Sequence, residues 1–235
     1  MQDRPILLEA RGLAKRFTLH MQGGVDIPVF DDATLAVRGG ECLVLAGPSG
    51  TGKSTLLRCL YGNYLAQAGS IRVHHRGQPV ELVGAEPRVV LDVRRVTLGY
   101  VSQFLRVIPR VATLDLVMEP LRARGVANDE ARARAESLLA RLNIPRTLWS
   151  LAPATFSGGE QQRVNIARGL VADYPVLLLD EPTASLDAAN RQTVIALMQD
   201  ALDRGTAIIG IFHDEAVRDA VCTHRYDLTR DRLAA

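Results

Sequence analysis

Eight residues from Gly47 to Ser54, GPSGTGKS, place glycine first, fourth and sixth and end on a lysine–hydroxyl pair. Such glycines let backbone N–H groups turn inward on a ring of phosphate oxygens. A helix starting near Lys53 adds its positive end to the same anion. In this spacing Lys53 reaches the β- and γ-phosphates of a nucleotide and Ser54 ligates Mg²⁺. Pro48, Ser49, Gly50, Thr51 and Gly52 form the body of the loop, and Thr55 extends it into the helix. The competing reading is a glycine-rich turn with a chance lysine. The apolar run CLVLAG before the loop and the helical run after it speak for the phosphate loop.

A second set of polar residues stands at the ends of other apolar runs. VLLLDEP puts Asp180 and Glu181 where a buried strand gives out, and ligands of open α/β sheets gather at strand carboxyl ends. Asp180 can hold Mg²⁺ through water, and Glu181 can orient or deprotonate an attacking water. Gln103 and His213 follow apolar strands in the same way and can reach the γ-phosphate or its water. Gln103 is counted with Ser54 and Asp180 among the Mg²⁺ candidates. Taken singly, Gln103 and His213 read better as polar surface residues than as site residues; the set gives them weight.

FSGGEQQR, residues 156–163, raises a different question, because it resembles a second phosphate grip at a helix start. One nucleotide has little use for two. In a two-fold dimer, Ser157, Gly158, Gly159 and Glu160 of one copy can close over the γ-phosphate held by the other, and isologous pairing places both grips at once. The plainer reading is a capping box, with Ser157 as N-cap and Glu160 three residues on. The two readings are compatible.

The elements that must position these residues read as an α/β core. CLVLAG, VLLLD and TAIIGIFH are short apolar runs of the buried parallel type. Residues 7–19 and 29–47 read as short strands separated by turns and joined through MQGGVDIP, which makes an antiparallel lobe near the N-terminus, and SIRVHHRG and RVTLGYVSQ add strands. Helices are expected from Ser54 to Tyr61 and over 159–172. Asn128 is expected to cap a helix whose stripe is Ala131, Ala135, Leu138, Leu139 and Leu142. Residues 104–156 then form a helical lobe inserted in one 235-residue domain.

Bulk properties narrow the classes. A net charge of +2 offers no argument for a nucleic-acid partner. Cys42, Cys59 and Cys222 have no metal or redox spacing and suit a reduced cytoplasmic setting. No apolar run approaches the roughly 18 residues of a membrane span, so crossing a membrane would fall to other chains. His74-His75 fall on opposite faces of a strand, which argues against a shared metal.

GPSGTGKST, Gln103, FSGGEQQR, VLLLDEP, ASLD (184–187) and His213 occur in the order found in ABC-type ATPase subunits, and the chain resembles that family along essentially its whole length. The resemblance implies a P-loop NTPase fold, ATP and Mg²⁺ as ligands, and ATP hydrolysis in a sandwich homodimer. It also implies that Gln103 senses the γ-phosphate, Asp187 communicates across the dimer, His213 is the switch histidine and Phe17 stacks on adenine. Two positions depart from the usual pattern, with Glu160 for glutamine and Phe17 for tyrosine. Within the family, FSGGEQQR fits two branches. LRCLYGNYL, YVSQFLRVIPRV, LWSLAPATFSGGEQQRVNIARG and GIFHDEAVR are similar to the PhnL branch. That resemblance implies a sister ABC ATPase and the soluble carbon–phosphorus lyase core complex as partners. The chain would then be accessory to ribose 1-methylphosphonate 5-triphosphate synthesis, in phosphonate metabolism. The other branch is the ATPase of a lipoprotein-release or macrolide-type transporter. FLRVIPRV, beside Gln103, is the expected docking surface in either case; the competing reading packs Phe104, Leu105, Val107 and Ile108 under the helical lobe.

Overall fold

The computed structural model describes residues 4–19, 24–105 and 109–231. Five strands form a parallel sheet: β3 (Cys42–Ala46), β6 (Leu98–Val101), β7 (Val176–Asp180), β8 (Ala207–Ile211) and β9 (His224–Asp227), in the order β6-β7-β8-β3-β9. Every residue of β7 and β8 is buried. That explains their continuous apolar runs, since a strand covered on both faces has no polar side to show.

Alternation along these strands divides the interior in two. Leu177, Leu179, Ile208, Cys42 and Val44 face one core, shared with Leu116, Leu139, Ile166 and Val194. Val176, Leu178, Ile209, Leu43 and Leu45 face the other, shared with Leu8, Phe30, Leu56 and Val93. The second core is roofed by an antiparallel sheet of β1 (Ile6–Leu19), β2 (Val25–Arg38), β4 (Ala68–His75) and β5 (Gln78–Glu81), in the order β2-β1-β4-β5. The phosphate loop therefore emerges between two sheets, and its helix, α1 (Lys53–Leu60), lies against the parallel one.

The helical lobe begins with α3 (Thr113–Arg122) and α4 (Asn128–Arg141), followed by short 3₁₀ turns at Arg146–Leu148 and Pro153–Thr155. Then α5 (Gly158–Leu170) returns to the sheet. Ala131, Ala135, Leu139 and Leu142 are fully buried, as the helical spacing requires. Asn128 does not cap α4. The N-cap is Ala127 and Asn128 is the first helical residue. Its side-chain oxygen is taken by the Arg122 guanidinium, at 3.1 and 2.9 Å, and so cannot serve the helix end. Three further helices carry weaker sequence signals: α2 (Pro87–Val96), α6 (Ala188–Asp203) and α7 (Glu215–Val221). In α2 Val89, Val90, Val93 and Val96 share one face, but only Val93 is fully buried.

His75 is buried between Thr97 Oγ1 at 2.6 Å and Asp92 Oδ2 at 3.0 Å, a polar cluster under the antiparallel sheet. Among the described residues no helix is long and apolar enough to cross a membrane.

Candidate active site

Four neighbouring strand ends bring the chemistry together. β3 runs into Gly47–Gly52, β7 ends on Asp180 and continues to Glu181, β6 leads to Gln103 and β8 leads to His213. Gly47, Gly50 and Gly52 all have positive φ, at 130°, 78° and 98°. At Gly52 a Cβ would also lie 2.4 Å from Val29 Cγ1 of β2, so both backbone and space demand glycine there. Thr51 ties the loop internally by donating from Oγ1 to the Pro48 carbonyl at 2.9 Å.

Lys53 is buried, and its ammonium donates to the Gly47 and Pro48 carbonyls at 2.7 and 2.8 Å. Burial pushes its pKa below the ordinary lysine value, and the Glu181 carboxylate opposes that shift. The cation thus sits within the phosphate loop and within the field of the acid at the end of β7.

Ser54 Oγ donates to Asp180 Oδ1 at 2.9 Å. Asp180 is 1% exposed, and its other oxygen accepts from Tyr100 OH at 3.1 Å. Burial, then the Asp180 carboxylate, raises the Tyr100 pKa, so the phenol stays protonated and remains a donor. A hydroxyl facing a carboxylate is a hard-oxygen donor pair of the kind that suits Mg²⁺. Gln103 lies elsewhere: its Nε2 donates to Glu181 Oε2 at 3.0 Å. The structure joins Ser54 to Asp180 and Gln103 to Glu181. Tyr100 escaped the sequence reading, since an aromatic inside the apolar run LGYV carries the signal of a core residue.

Glu181 is held at both oxygens, by Gln103 at Oε2 and by His213, whose Nε2 lies 2.7 Å from Oε1. Its backbone is in the left-handed region, φ 52°, which costs a non-glycine residue about 1–2 kcal/mol. Its N–H still bonds to the Ile211 carbonyl at 3.1 Å, so the β7–β8 ladder carries the acid past the strand end.

Ser157, Gly158, Gly159 and Glu160 lie at the start of α5. Ser157 is the N-cap, and both halves of the capping box are formed. Ser157 Oγ accepts from Glu160 N at 3.3 Å, while Glu160 Oε2 accepts from Ser157 N and Oγ at 2.9 and 2.7 Å. These bonds, with help from Arg163, hold the Glu160 carboxyl below the usual range. Its charge is therefore already engaged, which bears on its presence where the family pattern has glutamine. Gly158 and Gly159 follow as the first helical residues. Asp187 caps α6, with Oδ1 and Oδ2 each 2.8 Å from Asn190 donors.

Phe17 is half-buried on β1, paired with Ile27 of β2 two residues from the Val29 that touches Gly52. Its ring meets Tyr64 edge-on at 5.5 Å, and Lys15 Nζ sits 4.7 Å from its centroid. If adenine stacks here, Phe17→Ala weakens ATP binding by about 5- to 150-fold, the equivalent of roughly 1–3 kcal/mol. Fluorescent-nucleotide titration measures this, and unchanged affinity returns Phe17 to a packing role. In FLRVIPRV, Phe104 is 73% exposed while Leu105 is buried in the core. Residues 106–108 lie outside the described residues, as do residues 20–23 of the β1–β2 connection.

A parallel sheet whose strand ends gather a phosphate loop, a carboxylate pair, a glutamine and a histidine defines a nucleotide-binding P-loop ATPase cassette. The chain belongs to the ABC transporter family, whose model matches residues 30–184. It is 36% identical to the lipoprotein-releasing system ATP-binding protein LolD of Chromohalobacter salexigens, over 90% of this chain and 86% of that protein. It is 34% identical to LolD of Porphyromonas gingivalis, over 97% and 98%. An uncharacterized ABC transporter ATP-binding protein of Mycobacterium tuberculosis is 34% identical over 83% of this chain, and the match spans 58% of that relative's length. The dimeric bacterial ABC transporter cassette MJ0796 has a TM-score of 0.83 at 26% identity, over 92% of this chain and 91% of that one.

Proposed function

We propose that the chain binds ATP and Mg²⁺ at Gly47–Thr55, hydrolyses ATP in a two-fold sandwich dimer, and uses closure and opening to do work on a partner. The convergence of Lys53, Asp180, Glu181, Gln103 and His213 at neighbouring strand ends carries this reading. Lys53 leaves its loop carbonyls for phosphate oxygens, which offer the ammonium a full opposite charge. Glu181, positioned by Gln103 and His213, accepts the proton of the attacking water. Tyr100 and Ser54 keep the Asp180 carboxylate oriented. Ser54 and Asp180 would hold Mg²⁺, which would supply positive charge against the charge of the triphosphate. The dimer follows the grip at Ser157–Glu160, and the likeness to a cassette described as dimeric supports it.

A cleft of about 640 Å³ beside the glutamine is lined by Arg58, Tyr61, Tyr100, Gln103, Phe104 and Arg168. It supports a docked partner that feels the motion of Gln103. Two kinds of partner have support. The LolD relatives, aligned over most of both chains, favour the membrane component of a lipoprotein-release type transporter, and of the two readings this has the backing of the comparisons. The second reading is the sister ATPase and soluble core of the carbon–phosphorus lyase system. It rests on YVSQFLRVIPRV, which carries Tyr100 and Gln103 of the site, and on LWSLAPATF, which leads into the start of α5. Both readings place the chain on the cytoplasmic side.

Affinity capture of tagged Glu181→Gln protein, with and without ATP, from cells grown on phosphonate separates them. Recovery of an integral permease supports the transporter reading. ATP-strengthened recovery of soluble lyase subunits without a permease supports the other. Recovery of neither, together with no ATP-dependent dimer, would reject the working-ATPase conclusion itself.

A further inference from the structure

We propose that the first turn of α6 is a mechanical joint: Asn190 and Arg191 are positioning residues that link the helical lobe to Asp187 on one side and to the His213–Glu181 pair on the other. The proposal rests on the function argued above and adds the route by which lobe position reaches the acid.

The first link starts at Asn143, just past the end of α4. Its φ of 54° is left-handed, a conformation that asparagine tolerates better than most residues. The residue is fixed in the lobe from both sides. Its own N–H bonds to the Ala140 carbonyl at 3.0 Å. The following Ile144 is buried, and its carbonyl accepts from Trp149 Nε1 at 3.0 Å. Asn143 Nδ2 donates across to Asn190 Oδ1 at 3.1 Å. Asn190 is buried, and its side-chain Nδ2 and its backbone N–H each donate to Asp187 at 2.8 Å. The side chain that receives the lobe is thus the one that holds the aspartate.

The second link starts one residue on. Arg191 Nη1 pairs with Asp214 Oδ2 at 2.8 Å, and its Nη2 donates to the Leu186 carbonyl at 3.3 Å. Asp214 Oδ1 caps α7 through Ala216 N at 2.9 Å. Asp214 directly follows His213, whose ring contacts Glu181. From Asn143 to Glu181 every step is therefore a hydrogen bond, an ion pair or one peptide unit.

Two features make this a joint rather than ordinary capping. A cap needs only Asp187 and the backbone N–H of Asn190; the bonds to Asn143 and Asp214 are additional and lead to different parts of the fold. Hydrogen bonds also weaken steeply once donor and acceptor separate or tilt. A displacement of about 1 Å between α4 and α6 breaks the Asn143 contact and frees Asn190 to turn, giving the two discrete arrangements that coupling between sites requires. The same helices are also joined by Arg141 and Asp200 at 2.5 Å, but that pair is 46% and 44% exposed. Its contribution is small and screened by salt, which makes it the natural control.

The test is steady-state ATP hydrolysis by the full chain bearing Asn143→Gly, Arg191→Met, both, or Arg141→Ala. Glycine keeps the left-handed backbone and removes only the amide. Each of the first two lowers kcat by about 2- to 30-fold, the range of coupling along such routes. KM for ATP stays within about twofold, and the melting temperature within a few degrees. Arg141→Ala leaves kcat within about twofold. The double variant is no slower than about the slower single one, because both cut the same route. Unchanged kcat in both singles, or a double equal to their product, overturns the joint. Glu181→Gln run alongside separates the failures: if it hydrolyses at the unsubstituted rate, the function itself is wrong, and the joint falls with it.

Discussion

Glu181→Gln protein binds ATP with near-normal affinity and hydrolyses it roughly 10²- to 10⁴-fold more slowly. The substitution preserves shape and tolerates the same left-handed backbone at φ 52°. It leaves Lys53 among its loop carbonyls and Ser54 against Asp180, so nucleotide binding is not touched. What it removes is the carboxylate that Gln103 and His213 address from either side. An amide is too weak a base to accept the proton of water, and without that transfer the closed dimer has no exit. The same preparation therefore accumulates as an ATP-bound dimer, seen by sedimentation or light scattering. Near-normal phosphate release would remove Glu181 from the role.

Ser157→Arg separates binding from assembly. The phosphate loop of the same chain is untouched, so the monomer keeps its ATP affinity. ATP-dependent dimerisation is abolished, because a bulky cation replaces the small residue at the start of α5 that has to meet the partner's triphosphate. The substitution also removes the N-cap, which costs about 0.5–2 kcal/mol. Ser157→Asn, which caps as well as serine, distinguishes the two effects: it restores helix stability whether or not dimerisation returns. A fall in monomer affinity to match the loss of dimer would place Ser157 in its own chain's site. Equilibrium binding and sedimentation on one preparation give both numbers.

The parts of the site that were legible in the sequence are those where backbone and chemistry demand the same residues. GPSGTGKS reads directly because glycine is needed both for positive φ and for close approach, as at Gly52 against Val29. VLLLD and TAIIGI read as buried strands because nothing polar interrupts them. The pairings were less legible. Gln103 and Ser54 both read as Mg²⁺ candidates; Ser54 meets Asp180, while Gln103 meets the adjacent Glu181. Which of two neighbouring acids a distant side chain meets is a property of the assembled site, not of any one segment. Tyr100 is hidden because a half-buried phenol that donates to Asp180 looks, in sequence, like core. Asn128 was misread because its side chain has a second suitor in Arg122 on the preceding helix. The capping box was legible because its two members are three residues apart and need no tertiary partner.

The left-handed backbone at Glu181 has an evolutionary consequence. Position 181 carries two separable requirements, one of geometry and one of acidity, and few residues meet both. Glycine, asparagine or aspartate satisfy the turn but shorten or lose the acid, while valine or isoleucine satisfy neither. Drift at this position therefore passes through folded but idle proteins more readily than through unfolded ones. Lineages that abandon hydrolysis while keeping nucleotide-driven assembly have a short path open to them, a single substitution that leaves every other element of the site in place.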